Sequence, residues 1–163
     1  MRFIKILKHA ITIVLICSLQ VSLCNFLAIG NIKPNLVIPL VVSVSIINGP
    51  VTGGIIGLIC GFFMDSLSSG LSIISSLTYM YIAVIGGILN INYLRKNLGV
   101  VMLFTFLGTI ICEASVHFIH FALWGVSNFF MALLNPILPI ALYSLVFTIP
   151  IYHLAFKLFN TSD

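Results

Sequence analysis

Long apolar runs broken by short polar clusters divide the chain into six segments, about 10–29, 35–48, 51–67, 71–89, 99–124 and 138–159. The runs are continuous rather than alternating, which excludes a transmembrane barrel and reads as helices. A helix needs about 20 apolar residues to cross a bilayer, so 163 residues allow about six spans and little else. The expected fold class is all-α: a compact polytopic bundle of about six transmembrane helices, one domain over 1–163. Asn48-Gly49-Pro50 is a turn signal and predicts a tight hairpin between the second and third helices. The second run is short and carries Pro39 in its first turns, where a missing N–H is tolerated. Either this pair crosses fully or it is re-entrant. Pro150 predicts a kink in the last helix, and residues 127–136 read as interfacial.

The third run, VTGGIIGLICGFFMDSLSSG over 51–70, carries the most pattern. Gly53, Gly57, Gly61 and Asp65 recur every four residues and so share one helix face. Small residues at that spacing let a second helix approach backbone to backbone in lipid. A carboxylate costs about 2.5–3.5 kcal/mol at mid-membrane on insertion scales. This face is therefore expected to point at protein and to serve as a helix-docking face.

Composition narrows the class further. The chain is 61% hydrophobic and 6% charged, with mean hydropathy +1.26, against about 25% charged residues in ordinary soluble domains. The longest polar stretch is NINYLRKN at 90–97, which leaves no room for a soluble catalytic domain. The net charge of +4 comes from scattered basic residues, not from a patch interleaved with aromatics, so no nucleic-acid partner is expected. With six crossings, Arg2, Lys5, Lys8, Arg95, Lys96 and Lys157 fall on one side and only Lys33 on the other. The positive-inside rule then puts both termini in the cytoplasm, with the first helix uncleaved. Trp124 marks the outer interface. Gln20 and Asn25 are the polar exceptions in helix 1, where a partner helix or the interface accounts for them. Cys17, Cys24, Cys60 and Cys112 all sit in apolar runs without a CxxC pair, which reads as buried thiols.

Ionisable residues inside the membrane are the candidate chemistry. Asp65 and Glu113 each lie about 14 residues, roughly 21 Å, from the inner start of their helices, and His117 is one turn further out. Asp65, Glu113 and His117 thus share one depth band in the outer half of the bilayer. Glu113, His117 and His120 share one face of helix 5. Two readings stand: a polar pocket or proton-coupled site, and a polar cluster that fixes helix packing. A P-loop and an HExxH zinc site are absent. Glu113 and His117 do not have the Glu-x-x-His spacing of di-iron bundles. Gly70-Leu71-Ser72-Ile73 lacks the glycine that a rhomboid-type serine motif needs. No catalytic residue, metal or cofactor is expected.

Residues 33–90 resemble the rod shape-determining protein MreD family. The resemblance rests on a basic residue before Pro34, an apolar run, Asn48-Gly49-Pro50, GGIIGLICGFFMDSLSSG, and an apolar helix with Tyr79. Beyond that segment it extends loosely through length and helix count. It implies a non-enzymatic component of the bacterial inner membrane that docks an MreC-like single-pass protein with an outer coiled coil. Through that partner it would reach cytoplasmic MreB filaments and the synthases of lateral cell wall. Partner docking would use small-residue faces such as Gly53, Gly57 and Gly61. The family usually has an acid after the proline where this chain has Asn35, so a contact made by that charge is expected to be missing from the Pro34-Asn35 outer turn. The family is similar in compactness and helix count to substrate-binding subunits of energy-coupling-factor vitamin transporters. The alternative function is accordingly such a transporter subunit, with Asp65, Glu113 and His117 lining its pocket. Short outer loops, and a first helix with only Ala10, Ser18, Ser22 and Ala28 as small residues, favour the shape-determination expectation.

Overall fold

The computed structural model describes residues 11, 13–22, 32–67, 74–92, 98–124 and 137–159. Six helices lie within them: α1 (Ile13–Ser22), α2 (Val37–Asn48), α3 (Pro50–Leu67), α4 (Ile74–Asn92), α5 (Leu98–Trp124) and α6 (Leu138–Phe159). Three are long and apolar enough to cross a membrane, over Pro50–Leu67, Leu98–Ile119 and Leu138–Leu158. Among the described residues the fold is an all-helical bundle, and its long apolar helices are those of a membrane protein. Several expected features lie outside the described residues: the basic segment 1–9, Cys24, Asn25, the turn and serine motif at 68–73, Arg95 and Lys96, segment 127–136, and the side chains of His120 and Trp124.

The bundle is built around α2. This helix has 12 residues, about 18 Å, and every residue from Val37 to Ile47 is buried. Four helices pack on it, α3, α4, α5 and α6. Its sequence, VIPLVVSVSIIN, is rich in β-branched residues, which are indifferent helix formers. Burial decides the matter, because without water each backbone polar group needs a partner within the chain and a helix provides it. The apolar run at 37–48 is thus a core helix, apolar on all sides because all sides touch protein.

α2 turns directly into α3 at Gly49. Its φ of 96° and ψ of 168° lie in a region essentially reserved for glycine. The hydrogen-bond ladder runs through the turn. Gly49 N–H donates to Ser45 O at 2.9 Å, and Gly53 N–H donates to Gly49 O at 3.0 Å. Pro50 begins α3, a position whose N–H has no helical partner in any case.

α3 and α4 form the closest helix pair. Along α3, Gly61 faces the backbone of Ser76, Gly57 faces Tyr79 and Gly54 faces Val84, while Gly87 of α4 faces Pro50. The pairs descend one helix as they climb the other, so the two are antiparallel over their whole length. The opposite face of α3 carries Val51, Ile55, Phe62 and Leu67, all exposed, with Phe62 at 64%. Glycine lies inside and bulky apolar groups lie outside, the arrangement a helix adopts when its outer solvent is lipid.

α6 is a single helix through Pro150, which lies on an exposed position. α5 packs on α2, α4 and α6. Hydroxyls line the interior: Ser43, Ser45, Thr105, Thr109, Ser144 and Thr148 are fully buried. Most are satisfied by the carbonyl one turn back, as in Ser43 to Pro39 O at 2.6 Å and Thr109 to Thr105 O at 2.7 Å. Ser45 instead donates across the bundle to Ala83 O of α4.

Candidate functional site

The buried N-terminal end of α2 poses a physical problem. A helix leaves its first four amides without intrahelical partners, and burying a polar group unpaired costs about 1–3 kcal/mol by mutational scales. Each of the four is accounted for. Leu36 N–H donates to Gln20 Oε1 of α1 at 2.6 Å. Val37 N–H and Ile38 N–H donate to Asn35 Oδ1 at 3.1 and 3.2 Å. The fourth position is Pro39, which has no N–H.

Asn35 is the centre of this polar collar. It is 8% exposed, so the expected outer turn is interior at this residue. Its backbone N–H donates to Ser144 Oγ of α6 at 2.9 Å. Its Nδ2 donates to Tyr79 Oη of α4 at 3.1 Å. The Glu113 carboxyl of α5 lies near its side chain. Pro34 beside it is also buried, and its carbonyl accepts from Gln20 Nε2 at 3.0 Å. Two adjacent residues therefore gather α1, α2, α4, α5 and α6. The contact expected to be missing for want of an acid at 35 is replaced by this set of amide contacts.

Asp65 forms a second node. Its Oδ2 accepts the Ser76 N–H at 3.0 Å and the Ser76 hydroxyl at 2.7 Å. Ser76 is in the first turn of α4, so a carboxylate lies at a helix N-terminus, where the partial positive charge of the peptide dipoles favours it. Asp65 thereby ties the end of α3 to the start of α4.

The band of Asp65, Glu113 and His117 resolves into separate contacts. α3 and α5 do not pack on one another. Asp65 bonds to α4, whereas Glu113 lies near Asn35 at the head of α2. His117 is half-buried one turn beyond Glu113. Among the described residues no group of three His, Cys, Asp or Glu side chains is placed to hold a metal ion. Cys17, Cys60 and Cys112 are buried free thiols.

The glycine face is also in use. A Cβ at Gly57 would meet Tyr79 O at 2.8 Å and the Tyr79 carbonyl carbon at 3.0 Å. One at Gly61 would meet the Ser76 backbone, and one at Gly53 would meet Ser45 of α2. The helices docked on Gly53, Gly57 and Gly61 are the chain's own α2 and α4. They occupy the face on which a partner helix was expected, and backbone contact leaves no room for another.

Sequence reasoning did not single out Ser76, Ser144 or Tyr79 as site residues. An asparagine shortly before an apolar run is an N-cap signal, and that signal was present at Asn35. Nothing in the sequence pointed to Ser144, whose contact spans 109 positions. Known protein families, curated proteins and solved structures contain no match to this chain.

Proposed function

We propose that the chain is a non-enzymatic scaffold of the bacterial inner membrane in the rod-shape machinery, a member of the MreD type. It docks an MreC-like single-pass protein and, through it, helps position the synthases of lateral cell wall relative to MreB filaments. Both termini are cytoplasmic in this reading. What supports it is how the resembling segment is used. Pro34-Asn35 heads the buried helix, Gly49-Pro50 makes the hairpin, the glycine face seats α2 and α4, and Asp65 closes the α3–α4 pair.

One observation carries most of the weight. Asp65 of the candidate band is engaged in a contact between helices, its carboxylate accepting from both the amide and the hydroxyl of Ser76, and Glu113 lies near Asn35 at the head of α2. Polar groups used in this way favour a rigid platform over an open ligand pocket. The partner's helix is then to be sought on the lipid-facing surfaces, not on the glycine face.

The test is affinity recovery of the tagged full-length protein from gently solubilised membranes, with identification of what co-purifies. A single-pass protein with an outer coiled coil is the expected result. Recovery of a membrane coupling protein with two nucleotide-binding subunits would overturn the reading and make the chain a transporter's substrate-binding subunit.

A further inference from the structure

We infer that α2, α3 and α4 form one rigid block and that α5 slides along it between two positions, with the Thr105 hydroxyl favouring the second. The contacts inside the block differ in kind from those with α5. Gly53, Gly57, Gly61 and Gly87 bring α2, α3 and α4 together, and a Cβ at each would meet the backbone of Ser45, Tyr79, Ser76 and Pro50 in turn. Backbone has no rotamers to exchange, so these approaches fix the register of the three helices. Against α5 the glycines face side chains instead. A Cβ at Gly86 would lie 3.8 Å from the Phe104 ring, and one at Gly108 would lie 2.9 Å from Ile82 and 3.4 Å from Ile38. Seams filled by side chains are those along which packed helices slide by small steps.

α5 has both the space to move and a group that favours moving. The pairs Gly86 with Phe104 and Ile82 with Gly108 make α4 and α5 antiparallel. Towards the start of α4 their seam opens into a groove, walled by Leu77, Thr78 and Tyr81 on one side and Ile111, Ala114 and Phe118 on the other. The Thr78 hydroxyl donates within its own helix, to Ile74 O at 2.7 Å, and not across the groove. On the inner side of α5, Thr105 is fully buried. Among the described residues, its Oγ1 is the one buried side-chain oxygen or nitrogen without a hydrogen-bond partner. Thr109, one turn on, is satisfied by Thr105 O at 2.7 Å. An orphaned hydroxyl raises the free energy of the position that leaves it so. A displaced α5 that brings Thr105 an acceptor on a neighbouring helix is favoured by that difference, and the groove gives it room.

The experiment measures distances between pairs of spin labels on the full chain in lipid nanodiscs. The background is C24S, in which Cys17, Cys60 and Cys112 are buried. F62C/L107C reports α5 against the block and F62C/I88C reports within the block, all three positions being exposed. Two distances are expected for F62C/L107C and one for F62C/I88C. T105V removes the orphaned hydroxyl, so the second distance should lose about tenfold in population relative to the first. T105S keeps the hydroxyl and is expected to keep both distances. A single distance for F62C/L107C, as narrow as that for F62C/I88C, overturns the inference. So does a second distance that T105V leaves unchanged.

Discussion

Asp65 Oδ2 receives two hydrogen bonds from one residue, the Ser76 N–H at 3.0 Å and the Ser76 hydroxyl at 2.7 Å. The end of α3 is thus clamped by a side chain to the start of the antiparallel α4. Asp65→Ala removes the acceptor and leaves both donors of the buried Ser76 without it, so a loss of about 1–3 kcal/mol is expected. Asp65→Asn retains an oxygen for both donors and loses only the charge, so its loss is smaller. Chemical denaturation in detergent micelles measures both. Equal losses for the two variants would mean that charge, and not the acceptor, dominates.

Gly57→Ala is expected to damage the fold itself. The added methyl meets backbone at Tyr79, which has no rotamer to yield, and overpacking of this kind costs about 1–3 kcal/mol or more. Gly99→Ala is the control, with nothing within 4 Å of its would-be Cβ. Thermal melts of both proteins decide it. If Gly57→Ala melts like Gly99→Ala while losing a co-purifying partner, the face is external after all.

Gly49→Ala places a Cβ on a backbone with φ 96° and ψ 168°. Space is not the obstacle, since nothing lies within 4 Å. The cost is conformational, about 1–3 kcal/mol. It is read as a lowered melting midpoint with helix content by circular dichroism unchanged at low temperature.

Gln20 of α1 bonds to the head of α2, with Nε2 on Pro34 O and Oε1 on Leu36 N–H. Gln20→Glu keeps the acceptor for Leu36 and loses the donor for Pro34. Gln20→Ala loses both. The expected order of stability is parent, then Gln20→Glu, then Gln20→Ala, with about 1 kcal/mol for each neutral bond lost. Protease accessibility of the segment between α1 and α2 should rise in the same order.

These contacts separate what is readable in a linear sequence from what is not. The α2–α3 hairpin was legible because Asn48-Gly49-Pro50 encodes a turn locally. The glycine face was legible as an interface because its period is a property of one helix. Which helix fills it was not, since the Gly57–Tyr79 and Gly53–Ser45 approaches are set by how three helices rotate together. Glu113 stood out as an acid in lipid, but Asn35, which lies near it in the fold, is 78 positions away in sequence. Asn35 itself read as an outer turn because the same residue type suits an exposed turn and a buried cap. Only the burial of α2 on every side distinguishes them, and that burial is supplied by α3, α4, α5 and α6 together.

α2 has a consequence for how the protein is made. It precedes α3 to α6 along the chain, yet its surroundings are complete only when α6, the last described helix, is in place. Until then one flank of α2 and the Asn35 amide, which awaits Ser144, have only lipid or water beside them. A chain halted before residue 144 therefore lacks the helix that closes the bundle around α2 and supplies the Asn35 amide with its acceptor.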